Sequence, residues 1–116
     1  MNSTLGLAVL AVLLGTASLS AHSELERAEP AADSTVSASP REVAIWFTQT
    51  LEPAFSAITV QNAAGQRVDA GASRVTGNQI RVPLKPIGAG TYRVNWRVLS
   101  VDTHRTQGSY RFHVKP

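Results

Sequence analysis

From Glu24 onward, apolar side chains recur at every second position in short runs separated by turn residues. The run "REVAIWFT" places Val43, Ile45 and Phe47 on one side, and "SAITVQN" places Ile58 and Val60 together. "QIRVPL" is short and is stopped by Pro83. "TYRVNWRVL" aligns Tyr92, Val94, Trp96 and Val98, and "SYRFHV" aligns Tyr110, Phe112 and Val114. A period of two is the signature of a strand with one buried face, and helical periodicity is absent. Pro30, Pro40, Pro53, "NAAGQ", "GASRVTGN" and "PIGAG" supply the punctuation. Strands with one apolar face must bury it on another sheet. About seven short strands without crossover helices therefore predict an all-β domain, an antiparallel β-sandwich or small Greek-key barrel. Trp96 keeps step with Tyr92, Val94 and Val98 and is assigned to the core. Trp46 has the opposite parity from Ile45 and Phe47, on the outer face or under a loop.

The front of the chain follows a different pattern. A short polar stretch, "MNST", precedes the apolar run "LGLAVLAVLL" (Leu5 to Leu14) and the small-residue segment "GTASLSA" ending at Ala21. This order is that of a secretory signal peptide, although the leading stretch has no Lys or Arg. The apolar run is about half the roughly 20 residues that span a bilayer as a helix. The expected organisation is therefore a signal peptide over residues 1–21 and one domain over 22–116, not membrane-spanning after cleavage and exported to the periplasm.

With no cysteine, the domain has neither disulfides nor thiolate metal ligands. The formal net charge is +3, but Arg81, Arg93, Arg97 and Arg111 are scattered among alternating apolar residues. That spacing describes a solvated sheet face, and without a basic cluster or aromatic platform no nucleic-acid partner is expected.

Three histidines are present: His22, His104 and His113. His113 alternates with Phe112 and Val114 and is expected to point outward. His104 follows Asp102 by two positions, which on an extended chain puts a carboxylate and an imidazole on the same side. Asp-x-His alone is nonspecific, since Asp102 is also an ordinary turn-capping residue. His22 adds to the pair. Cleavage after Ala21 would make it the mature amino terminus, with a free α-amine and an imidazole nitrogen able to chelate one ion. Together with His104 and Asp102 this makes three nitrogens and one oxygen, a set that suits tetragonal Cu(II), with tetrahedral zinc as the competitor.

The start "HSELERAEPAADS", the segment "AIWFTQTLE" and the stretch "GTYRVNWRVLSVDTHRTQGSYRFHV" together resemble the CopC-type family of periplasmic copper resistance and copper homeostasis proteins. The most specific element is the histidine after the signal combined with Y-x-V-x-W-R-x-x-S-x-D-x-H-x-x-x-G-x-x-x-F-x-V. The resemblance implies a cupredoxin-like or immunoglobulin-like Greek-key fold. It also implies one Cu(II) per mature chain, held at His22, Asp102 and His104, and an inner-membrane copper transporter as a partner. Ser23, Gln49 and Arg105 depart from residues common in the family, but none is a proposed ligand. The only methionine is Met1, in the signal, so the chain resembles members that bind Cu(II) alone.

Three functions compete at this level. The first is a non-enzymatic Cu(II) carrier, buffer or resistance protein. The second is a metal-free interaction or adhesion sandwich. The third is a copper oxidative enzyme of the histidine-brace kind, against which stands a carboxylate in the place dioxygen would need. A hydrolase built on Ser100, His104 and Asp102 lacks a nucleophile-elbow signature.

Overall fold

The structure, a computed structural model, describes residues 25–116. The expected leader and His22 lie outside the described residues. Eight strands form two four-stranded sheets. One has the order β1 (Leu25–Glu29), β3 (Glu42–Phe47), β6 (Gln79–Pro83), β5 (Arg74–Thr76), and the other β2 (Thr35–Val36), β8 (Arg105–Val114), β7 (Gly90–Leu99), β4 (Ala57–Gln61). The sheets pack face to face in a Greek-key sandwich, as the alternation implies, and the described residues include no α-helix, only a 3₁₀ turn at Pro53–Phe55.

Two details differ from the expectation. All pairings are antiparallel except that of β2 with β8, which is parallel over Thr35↔His113 and Val36↔Val114. The strand count is eight, because β1, β2 and β5 are short and carry a single buried residue among them, Ala28. Strands that bury so little show no alternation to read.

The core matches the apolar parity. Val43, Ile45, Phe47, Ile80 and Val82 of one sheet face Ile58, Val60, Val94, Val98 and Phe112 of the other, all essentially inaccessible. Burying each such side chain contributes about 1.5–3 kcal/mol. The edge strand β4 is closed off by side chains: Ser73 Oγ accepts from the Ile58 N–H (2.9 Å) and Asp69 Oδ1 from the Val60 N–H (2.9 Å). Edge donors satisfied in this way do not recruit another strand. Arg67 in turn clamps the buried Asp69 through two bonds of 2.7 and 2.6 Å.

One end of the sandwich gathers the parts that matter for chemistry. Leu25 pairs with Phe47 at the end of β3. The chain leaving β3 bridges Leu51 to Ser100, Glu52 N–H donates to Leu99 O (2.8 Å), and Val101 N–H donates to Thr50 O (2.9 Å). The start of β1 and the β7–β8 connection therefore lie at the same end.

Candidate metal centre

The long hairpin β7–β8 is in continuous register from Gly90↔Val114 to Leu99↔Arg105, and Ser100–His104 closes it. The closing turn is tied by Ser100 N–H to His104 O (3.0 Å) and Thr103 N–H to Ser100 O (2.9 Å). Thr103 adopts φ 71°, a left-handed conformation that β-branched residues seldom take, maintained by these bonds and by the anchor to Thr50. Asp102 and His104 thus converge through a tight reversal, not through the extended chain that their spacing suggested.

The convergence is close. His104 Nδ1 lies 3.2 Å from Asp102 Oδ2, with the Asp102 side chain 42% and the His104 side chain 72% exposed. The other carboxylate oxygen accepts a hydrogen bond from Ser100 Oγ and a longer one from His104 N–H (3.4 Å). Ser100 is buried, and its hydroxyl also reaches His104 O (3.2 Å). The Ser100 hydroxyl, and after it the imidazole, hold the Asp102 carboxyl below the usual carboxylate range. Asp102 is therefore an anion at neutral pH. With Nδ1 turned to the carboxylate, His104 Nε2 makes no hydrogen bond among the described residues. An ion seated between Asp102 Oδ2 and His104 Nδ1 could take both as ligands, whereas an ion held at Nε2 would leave Asp102 outside its coordination sphere.

Asp102 consequently does two things that the sequence offered as alternatives: it caps the turn and it adjoins the imidazole. Ser100 is the residue that sequence reasoning undervalued. Its signal was its place two positions before Asp102, where a hydroxyl can reach the carboxylate. Ser100 bonds the carboxylate and not the imidazole, and it is buried, so it is no nucleophile. His113 is not brought to this place. It sits nine residues along β8, about 30 Å away at strand rise, with its Nδ1 2.9 Å from Thr91 Oγ1.

The two tryptophans part company. Trp96 is in the sandwich interior as expected, partly buried and edge-on to Phe47 (5.4 Å, 72°). Trp46 is on the outer face beneath the Arg27 guanidinium, 3.9 Å from the ring centroid. That cation–π contact gives it a structural role.

Among the described residues no group of three or more His, Cys, Asp or Glu side chains comes together as a metal site. Asp102 and His104 supply two donors. A closed coordination sphere needs more, and His22 lies in the preceding segment.

Comparison with known proteins agrees with the motif. Residues 25–115 match the CopC domain family. Copper resistance protein C of Xanthomonas campestris pv. juglandis is 36% identical over 116 residues, covering 92% of this chain and 91% of the relative. The crystal structure of CopC from Methylosinus trichosporium OB3b superposes with a TM-score of 0.75 at 34% identity, over 82% of this chain and 95% of that one. PcoC from Escherichia coli, described as a methionine-rich copper resistance protein, superposes with a TM-score of 0.67 at 34% identity, over 82% of this chain and all of that one. A family match across the whole sandwich, in which the hairpin and its Asp-x-His turn are embedded, means that this chain belongs to the CopC family.

Proposed function

We propose that the chain is an exported Cu(II) carrier or buffer that binds one Cu(II) per mature chain through His22, Asp102 and His104. The family is one of copper-binding proteins and not of enzymes. The observation that carries the finer reading is the placement of Leu25. It pairs with Phe47 at the end of the sandwich that also holds the Asp102–His104 turn. His22 is three residues earlier, and three extended residues reach about 10 Å. A histidine at that position is therefore within reach of an exposed carboxylate and of the imidazole nitrogen that faces it.

The donors fit this cargo. An amine, two imidazoles and a carboxylate are borderline to hard ligands, which favour Cu(II). Cu(I) prefers thioethers or thiolates, and past Met1 the sequence has neither Met nor Cys. In this respect the chain contrasts with the methionine-rich PcoC. Export and a periplasmic location rest on the pattern of residues 1–21, and a membrane copper transporter is the partner such a carrier would serve. Among the described residues no helix is long and apolar enough to cross a membrane.

The test combines processing with titration. Amino-terminal sequencing of the exported protein should begin at His22, and competition against a colorimetric Cu(II) chelator should give one equivalent. His104→Ala should lower the affinity by well over the roughly 100-fold upper range of outer-sphere changes, and Asp102→Ala by less, since water can replace an oxygen donor. An extra alanine before His22 should weaken binding as severely as His104→Ala. Unchanged affinity in the extended protein would remove the His22 α-amine from the site.

A further inference from the structure

The metal turn has an unusual neighbourhood. Among the described large apolar side chains, Phe55 and Val101 are the exposed ones, at 58% and 52%, and both belong to this end of the molecule. Phe55 lines a groove of about 360 Å³ with Arg97, Val98, Arg105, Thr106 and Gln107. Arg97 and Arg105 are diagonal neighbours on the outer face of the hairpin, since Arg97 pairs with Gln107 and Arg105 with Leu99. Further along the same face, Arg93 and Arg111 stand directly opposite each other. At strand rise, Arg93 and Arg97 are about 13 Å apart. Thr59, Asn95 and Ser109 form the uncharged, hydrogen-bonding floor between them.

All four arginines are exposed, and none forms an ion pair among the described residues. Strands β2, β4, β7 and β8 contain no Asp or Glu. Asp33, whose N–H donates to Arg111 O, makes no ion pair with the guanidinium. On the opposite sheet the arginines are largely matched: Arg27 with Glu29 (4.0 Å) and Arg81 with Glu42 (3.9 Å). Like charges placed directly across a ladder cost stability, so an unmatched Arg93–Arg111 pair is not accounted for by the fold.

We infer that this face is a docking surface for an acidic protein partner. Phe55 is the apolar anchor beside the metal turn, and the arginine pairs read carboxylates. Exposed aromatic and arginine side chains over an uncharged polar floor are the composition of protein interfaces. Guanidinium forks bind carboxylates in two-point fashion. A bilayer is the poorer occupant, because one phenylalanine and one valine bury little apolar area and the face carries no lysine. A partner seated here would meet Asp102 and His104 at its margin, where a metal ion could change hands. The surface itself is built from other side chains and stands whether or not the turn holds copper.

The test uses the metal-free mature protein, labelled with ¹⁵N, and two probes: a synthetic glutamate-rich peptide containing one leucine, and phosphatidylglycerol vesicles. Peptide-induced shifts should cluster on Phe55, Arg97, Arg105 and Gln107 and extend to Arg93 and Arg111. Arg97→Gln/Arg105→Gln should weaken the peptide about ten-fold, the sum of two exposed charge contacts. Phe55→Ser should weaken it further, while Arg41→Gln/Arg74→Gln, which removes the same charge from β5 and the bend leading into β3, should change it less than two-fold. Equal losses in both double variants would mean that net charge alone is being read. Shifts spread over both sheets, or none, would overturn the assignment, as would vesicle binding through the same residues without peptide binding.

Discussion

Gly108→Ala should be among the most damaging single-methyl additions in this protein. Gly108 pairs across the hairpin with Trp96, on the inward face of β7 and β8. A Cβ built there would lie 2.6 Å from Trp96 Cζ2, 3.0 Å from Cε2 and 3.1 Å from Cη2, where ordinary carbon contact begins near 3.4 Å. Backbone terms pull the other way. Gly108 does not have a positive φ, and replacing a strand glycine that any residue could occupy stabilises by about 0.4–1 kcal/mol. The clash wins because the atoms met belong to a rigid indole packed edge-on against the fully buried Phe47, and ten consecutive register pairs hold β7 to β8. Overpacking of this kind costs about 1–3 kcal/mol. At about 4–8 °C per kcal/mol for a domain of this size, the midpoint should fall by roughly 5–20 °C. Thermal and urea unfolding followed by far-ultraviolet circular dichroism measure it without relying on the tryptophan. In a Trp96→Leu background the same alanine should cost almost nothing, a coupling that a double-mutant cycle reads directly. A loss below about 0.5 kcal/mol in the parent, or the same loss in both backgrounds, would refute the packing argument.

Ser100→Ala removes the hydroxyl that holds Asp102, and Cu(II) affinity by chelator competition should fall about 10- to 100-fold with the fold intact by circular dichroism. An unchanged affinity would mean that the turn positions Asp102 without it. Asp69 sets an acid dependence: the Arg67 guanidinium, outweighing the opposing effect of burial, holds its carboxyl below the usual range. The folded pKa is depressed, so the pair stabilises above about pH 4, the unfolded carboxylate value, and this contribution is lost as the pH falls through the folded pKa. The gap in urea midpoint between the parent and Asp69→Asn should therefore narrow on acidification, and a gap constant with pH would contradict the linkage. Tyr110→Phe should be neutral or stabilising in thermal unfolding, since the buried hydroxyl has no hydrogen-bond partner among the described residues. Reduction should release the metal: anaerobic Cu(I) titration should show far weaker retention than Cu(II), and tight Cu(I) binding would point to a different donor set.

The core was legible in the sequence because burial on one face of a strand leaves a period of two, and Val43, Ile45, Phe47, Val94, Val98 and Phe112 all follow it. The strands that escaped, β1, β2 and β5, bury only Ala28 and leave no such trace. The parallel pairing of β2 with β8 escaped too, since two residues held by backbone hydrogen bonds carry no side-chain code. At the site, the residue types were readable but not the reason for their spacing. The hairpin register supplies it. Asp102 is equally distant along the chain from Trp96 and Gly108, and the register pairs those two across the ladder. The tryptophan, the glycine that makes room for it and the Asp-x-His turn are thus one mechanical unit. Lengthening either arm by one residue would shift the ladder, invert which side chains face the core, and move the carboxylate off the turn's apex. The motif spacing therefore encodes a register, and through it the meeting of Asp102 and His104, the two donors proposed for the metal.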